Sequence, residues 1–243
     1  MSIEVLPVHI DGEIVEGQNI IESAKDLLSI QNGDIVVISQ KIISKQEGRM
    51  ISLDSVKPTG LASGIASAYG KDSRIVQLIL DESSRIVRMR SGILIMETNS
   101  GLVCANAGID ESNVQPGCAT LLPIDSDASA ARLRRSILEK TGKNIAVIIS
   151  DTFGRPFRMG QTDCAIGSAG IRPIVDYTGM QDSFGRTLRV TAIAVADQIC
   201  AAAELVSKKT TGSPITIVRG YVYESTECDS SDLLRTRSED LFR

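Results

Sequence analysis

Asp151-Thr152-Phe153-Gly154-Arg155-Pro156-Phe157-Arg158 brings an acid, a hydroxyl and two guanidinium groups together just beyond the apolar run Ile145 to Ile149. That run reads as a buried strand, and a strand end is where α/β proteins commonly place ligand chemistry. Asp151 suits a hard metal ion, while Arg155 and Arg158 suit the oxygens of phosphate or carboxylate. The polar sequence runs on through Gly160-Gln161-Thr162-Asp163. Taken alone, the segment fits equally well a solvated loop in which aspartate and arginine pair with one another.

Other segments carry groups of the same kind. Lys41 and Lys45 lie four apart; on a helix they share a face and can hold phosphates as paired point charges, although two solvated lysines are the plainer reading of that stretch by itself. In Asn106 to Asn113, Gly108 permits close backbone approach, and Asp110, Ser112 and Asn113 offer oxygen ligands. A polar turn closing a strand accounts for the same residues. Asp182 to Arg186 sets glycine beside arginine again and reads as a local ion pair within a loop. Asp197 and Glu204, seven apart, read as a solvent-facing helical stripe. The ensemble says more than its parts. Asp110 and Asp151 both follow apolar strands, and a carboxylate pair is what one or two Mg²⁺ or Mn²⁺ ions require. Lysines and arginines nearby imply that the metal is shared with an anionic substrate, most simply a nucleoside triphosphate.

Composition removes several alternatives. The chain has 243 residues and a formal net charge of −4, from 26 basic and 30 acidic residues, so a broad nucleic-acid footprint is not expected. The single histidine, His9, leaves Ser-His-Asp or Cys-His catalysis and multi-histidine metal sites without their parts. Five cysteines, widely spaced and without C-x-x-C, support neither a disulfide framework nor a thiolate zinc site. No leader-like N-terminus or membrane-length apolar run is present, so the expectation is a reduced, soluble, cytoplasmic protein with no membrane partner. G-x-x-x-x-G-K-[ST] and a strand-linked G-x-G-x-x-G are both missing, so any phosphate binding uses neither a P-loop nor a Rossmann fingerprint.

The elements that must position these groups follow from apolar periodicity. Strands are expected at Ile3 to Pro7, Asp34 to Ser39, Ile86 to Met89, Ile93 to Met96, Leu102 to Ala105, Ile145 to Ile149 and Ile215 to Val218. Helices are expected at Ile20 to Leu28, Pro58 to Tyr69, Ser73 (as cap) to about Glu82, Asp127 (as cap) to Lys140, Thr191 (as cap) to Val206, and Ser230 to Leu241. Gln40 to Arg49 reads as a strand end passing into helix or loop, and residues 159–187 as a glycine-rich polar stretch. Strands and helices mix without strict βαβ alternation, which predicts a mixed α/β (α+β) fold.

These segments, in this order, resemble the coenzyme F420-0:L-glutamate ligase (F420 γ-glutamyl ligase) family. The matching stretches are Ile43 to Arg49, the NAGID-x-SN run from Asn106 to Asn113, Asp151 to Gly167, Asp182 to Arg186 and Val195 to Gln198, and the likeness spans essentially the whole chain. The resemblance implies a single unit over residues 1–243, which could be built from two intertwined α/β subdomains, in an unusual mixed-sheet fold. It implies a GTP-dependent ligase that joins L-glutamate to F420-0 and adds a second glutamate by a γ-linkage. It further implies Mg²⁺ or Mn²⁺, two per site, stimulation by K⁺, and a homodimer. By this resemblance Asp110, Asp151 and Thr152 fall at metal positions. Asp11, Gly12, Glu13, Ile14, Gln40, Lys41, Lys45 and Asn113 fall at GTP positions, as does the stretch Ser207, Lys208, Lys209, Thr210, Thr211, Gly212 and Ser213. That stretch departs from the glycine-rich turn of many relatives, and Phe157 stands where Trp is frequent.

The mechanism expected from these groups activates an unreactive carboxylate. The γ-phosphoryl of GTP passes to F420-0, giving an acyl phosphate that the glutamate amine then displaces, with Asp151, Arg155 and Arg158 as catalytic residues. Two other classes use the same side chains: a metal-dependent phosphohydrolase, and a non-catalytic protein binding nucleotide or deazaflavin.

Overall fold

Runs of β-branched residues between turn formers build the central sheet of the computed structural model, which describes residues 2–208, 212–236 and 238–241. The chain runs β1 (Glu4–Val8), α1 (Ile20–Ser23), β2 (Ile35–Ser39), α2 (Gln40–Gln46), β3 (Met50–Ser52), α3 (Gly60–Tyr69), α4 (Ser73–Asp81), β4 (Ser83–Arg90), β5 (Ile93–Thr98), β6 (Val103–Ala105), β7 (Cys118–Thr120), α5 (Ser126–Thr141), β8 (Ala146–Gly154), β9 (Gln161–Ala169), β10 (Ile174–Asp176), β11 (Ala192–Ala194), α6 (Val195–Ser207) and β12 (Ile215–Arg219). The fold is mixed α/β, as the element pattern predicted.

The main sheet has the order β1-β12-β2-β8-β9. Only β2 and β8 run parallel, in the register Ile38↔Ile149, and the other neighbours are antiparallel. β2 is buried on both faces, which explains its unbroken IVVI run. One face carries Val36, Ile38, Val147 and Ile149 against α5 and the α1 region; the other carries Val37, Ala146 and Ile148 against α6. A second lobe, with its own core of Ile65, Ile79, Leu94, Met96 and Leu121, is formed by α3, α4, the β4-β5-β6 sheet and the β3-β7 pair.

Several elements differ from the sequence-based expectation. The helix expected from Ile20 to Leu28 breaks at Ala24, and Lys25–Ser29 continues as a 3₁₀ turn. Asp72 rather than Ser73 caps α4, and Asp125 rather than Asp127 caps α5, each through a backbone N–H of the first turn. Asp127 instead accepts the N–H groups of Ser168 and Ser230, tying α5 to β9 and to the C-terminal segment. α6 starts at Val195, not Thr191, because residues 192–194 pair with β10. The terminal helix reduces to a 3₁₀ turn at Ser230–Leu233. The polar 159–187 stretch contains β9, whose glycine is a packing requirement: a Cβ on Gly167 would lie 2.5 Å from the Ser126 backbone at the start of α5.

Candidate functional site

β8 does not end where its apolar run ends. It continues through Asp151, Thr152 and Phe153 to Gly154, paired along its length with β9. The acid and hydroxyl expected on a loop therefore sit on a strand, and alternation sends them to opposite faces. Phe153 packs with the α5-side core, which places Asp151 on that face. Thr152 shares the α6-side face with Ser150, and both donate hydroxyls to Asp163 across the strand pair, at 2.6 and 3.5 Å respectively. Both faces open into one cavity of 1270 Å³ that wraps the carboxyl ends of β2 and β8. This exceeds the roughly 300–1,000 Å³ typical of a pocket for one small ligand.

The helix that follows β2 supplies the cations. α2 carries Lys41 and Lys45 one turn apart, as the i, i+4 spacing predicted, and both line the cavity. Lys41 Nζ lies 2.6 Å from Asp110 Oδ2 and 2.6 Å from Ser112 Oγ. Lys45 Nζ lies 2.8 Å from Glu13 Oε1 and donates at 2.9 Å to the Asn113 carbonyl. The two lysines thus draw the loop after β1 and the Asn106 to Asn113 segment onto one wall.

That segment is shaped by backbone conformation. Asn106, Ala107 and Gly108 take consecutive positive φ values of 53°, 54° and 72°. Such conformations cost energy outside glycine and concentrate at functional sites. The tight turn delivers Asp110, whose backbone pairs with Thr120 by N–H···O bonds of 3.1 and 2.9 Å. Burial pushes the Asp110 carboxyl up, but the Lys41 ammonium and the Ser112 donors together outweigh it and hold it below its ordinary value. Asn106 Oδ1 is buried without a hydrogen-bond partner and belongs to a residue lining the same cavity.

Burial disfavours the thiolate form of both thiols beside the site. Burial pushes Cys104 up to about 12, with the charge of Asp151 adding to the effect. Cys164 is likewise pushed up to about 12 by burial, then by Asp197, Asp163 and Asp151. Neither meets the low-pKa condition for a nucleophile or a thiolate ligand.

Of the other residues singled out in the sequence, Gly12, Glu13, Ile14, Asn113, Ser207, Lys208, Gly212 and Ser213 line the cavity with Asp110, Asp151 and Thr152. Lys209, Thr210 and Thr211 lie outside the described residues. Asp11 sits beside the cavity on the exposed loop after β1, and Gln40 is buried, accepting the Ser44 hydroxyl at 2.9 Å. Arg155 and Arg158 lie on the exposed turn between β8 and β9, outside the cavity wall, and Arg155 folds back on the Met159 and Gly160 carbonyls. Asp182 accepts the N–H groups of Phe184 and Arg186 at 2.8 and 2.9 Å, organising its turn through the backbone. Asp197 is not a solvent-facing group: it is half-buried and accepts the Ala165 N–H at 2.9 Å, and burial pushes its carboxyl up. Glu204, on the same helix, lines the cavity. Sequence reasoning gave no role to Ser150 and left Asp163 as a mere extension of its motif. The signal for Ser150 was the period of two that sets it on one face with Thr152.

The donor set is all oxygen, which suits a hard divalent cation. Among the described residues no three His, Cys, Asp or Glu side chains converge on one point. Asp110, Asp151 and the Thr152 hydroxyl all line the cavity, and oxygen donors of this kind are the type that could hold a Mg²⁺-like ion through one or two carboxylates with waters and substrate phosphates.

The class defined by fold and site is a mixed α/β protein whose large cavity, at the carboxyl ends of the parallel strands β2 and β8, is lined by two lysines paired with the carboxylates of Asp110 and Glu13. Comparison with known sequences narrows that class. The profile of the family described as F420-0:Gamma-glutamyl ligase matches residues 11–220, and the chain belongs to that family. It is 49% identical to the coenzyme F420:L-glutamate ligase of Methanothermobacter thermautotrophicus, with 91% of this chain and 88% of the relative covered. Proteins of the same name from Methanocaldococcus jannaschii and Methanopyrus kandleri are 41% and 38% identical. The first comparison covers 98% of this chain and 94% of the relative, the second 100% and 98%. Among the described residues no helix is long and apolar enough to cross a membrane.

Proposed function

We propose that this protein is a GTP-dependent ligase that forms an amide between the carboxylate of coenzyme F420-0 and L-glutamate, then joins the amine of a second glutamate to the γ-carboxylate of the first. The observation that carries this reading is the juxtaposition, in one cavity of 1270 Å³, of a two-lysine helix face with Asp110 and Asp151. The volume favours two substrates held together, and the names of the relatives supply their identity.

The reaction transfers the γ-phosphoryl of GTP to a carboxylate oxygen of F420-0, breaking the bond to GDP. The glutamate amine then attacks the acyl carbon, phosphate leaves, and the amine gives up a proton. Lys41 and Lys45 exchange Asp110 and Glu13 for phosphate oxygens as the nucleotide enters, and so neutralise charge that spreads over the transferring group. Asp110, Asp151 and Thr152 would hold Mg²⁺ or Mn²⁺, two per site, and such ions would supply electrostatic stabilisation of the phosphoryl oxygens. Gly12 to Ile14, Asn113, Ser207, Lys208, Gly212 and Ser213 enclose the nucleotide and exclude the water that would hydrolyse an acyl phosphate. Arg155 and Arg158, from the β8–β9 turn, hold the far carboxylates or the phosphodiester of a long substrate.

K⁺ as an added activator, a cytoplasmic location and a homodimer complete the reading.

The test is mass spectrometry of F420-0 incubated with the protein, L-glutamate, GTP and Mn²⁺, with each component omitted in turn. A glutamate-sized increase that needs every component is expected, followed by a second increment. Phosphate release without mass gain would instead identify a phosphohydrolase, and bound but unchanged ligand a binding protein. Asp151→Asn is expected to abolish turnover with the fold intact; full activity in that variant overturns the assignment of Asp151.

A further inference from the structure

Asp163 is 9% exposed on β9, and its carboxylate faces the cavity end of the α6-side face of the sheet. It lies directly opposite Thr152 in the β8–β9 register. Residues so paired carry their side chains on one face, close enough to touch. Thr152 Oγ1 donates to Asp163 Oδ1 at 2.6 Å, within the short range of charge-assisted O–H···O⁻ bonds. Ser150 makes a longer approach, 3.5 Å, to the second carboxylate oxygen.

A threonine hydroxyl has one proton and two lone pairs. With the proton committed to Asp163, the oxygen has only acceptor capacity left for the cavity. It can then receive a cation or a donor but cannot donate to a phosphate. The negative charge behind the proton also makes that oxygen more electron-rich, as outer partners of metal ligands commonly do. We propose that Asp163 is the positioning residue that fixes the Thr152 hydroxyl as a cation-accepting group. This rests on the reading of Thr152 as a metal-holding residue and extends it: the residue that tunes the site lies on the neighbouring strand. It also gives a reason for a carboxylate to stand almost buried on β9, facing a hydroxyl rather than solvent.

The experiment is Mn²⁺ binding to the purified protein, without nucleotide or substrates, followed by the electron paramagnetic resonance signal of free Mn²⁺. Asp163→Asn keeps size and removes the charge; it is expected to weaken Mn²⁺ binding about 10–100-fold, the usual effect of losing such a partner. Thr152→Val is expected to weaken binding by a similar factor, and the double variant by no more than either single change. In a Thr152→Ser background, which keeps the hydroxyl, Asp163→Asn should still weaken binding. Wild-type affinity in Asp163→Asn, alongside loss in Thr152→Val, overturns the positioning role alone. Multiplying losses in the double variant overturn it too, because Asp163 would then act independently of Thr152. Wild-type affinity in Thr152→Val overturns the metal reading of Thr152 and the inference with it. Should Asp163→Asn fail to fold, by circular dichroism, Asp163→Ser takes its place in the same cycle.

Discussion

Replacing Gly108 by alanine separates two costs that the Asn106 to Asp110 turn carries. Gly108 has φ +72°, a left-handed conformation that costs an L-residue roughly 1–2 kcal/mol. Its new Cβ would also stand 2.6 Å from both Cγ and Cδ1 of Leu122 and 2.8 Å from Cδ2. Leu122 is 6% exposed within the main core and its carbonyl accepts the Arg49 Nε–H at 2.9 Å, so it cannot swing aside freely. Overpacking of this kind adds roughly 1–3 kcal/mol. Gly117 provides the internal control: its φ is +80°, and a Cβ there meets nothing within 4 Å. The expectation is a loss of roughly 2–5 kcal/mol for Gly108→Ala and roughly 1–2 kcal/mol for Gly117→Ala, from urea denaturation with unchanged m-values. Because Asp110 follows the turn by two residues and is bridged to Thr120, Gly108→Ala should also weaken Mn²⁺ binding, while Gly117→Ala should not. Equal destabilisation by the two substitutions would refute the argument, since the conformational cost alone would then account for both.

Other predictions test different parts of the molecule. Lys41→Met removes a cation from the cavity wall and should weaken nucleotide binding about 10–100-fold by calorimetry, the value of one or two charge-assisted hydrogen bonds; unchanged affinity removes Lys41 from the nucleotide site. Arg219→Met strands Asp34, whose side chain is 2% exposed and which accepts Arg219 Nη2 at 2.7 Å and Nε at 2.9 Å. A cost of about 3 kcal/mol is expected in urea denaturation, and a loss below about 1 kcal/mol would show that Asp34 finds other partners. Asp197 has its carboxyl pushed above the ordinary value by burial. The native state therefore holds its proton to higher pH than the unfolded chain, and stability falls as pH rises from the unfolded value, about 3.9, through the native one. Asp197→Asn should remove that fall and leave the variant at least as stable as the parent at neutral pH; an unchanged pH profile would contradict the assignment.

Much of the site could be read from residue order alone, because its parts are local. Lys41 and Lys45 lie one helical turn apart, Asp110 follows a short polar turn, and Asp151 follows a run of five apolar residues. The buried strands were equally legible, since IVVI and IAVII can satisfy their backbone and their side chains together only inside a sheet. The paucity of histidine and the scattered cysteines fixed which chemistries the site lacks. What the sequence did not disclose are relations between distant segments. β9 hid behind its glycine, threonine and aspartate because those residues answer to neighbours far along the chain: Gly167 to the start of α5, and Asp163 to Thr152. The caps of α4 and α5 moved by one or two residues because several acids and hydroxyls compete for the same N–H groups, and geometry decides among them. Asp197 looked solvated by its spacing and is half-buried by the packing of α6 against β9. Local pattern determines which residues can be strand, helix or ligand, since backbone hydrogen bonding and side-chain period are short-range. Only the tertiary structure decides that the Asp151 and Thr152 side chains part to opposite faces, that Asp163 meets one of them, and that Arg155 and Arg158 stand outside the cavity, because those outcomes depend on strand register and on which surfaces bury each other.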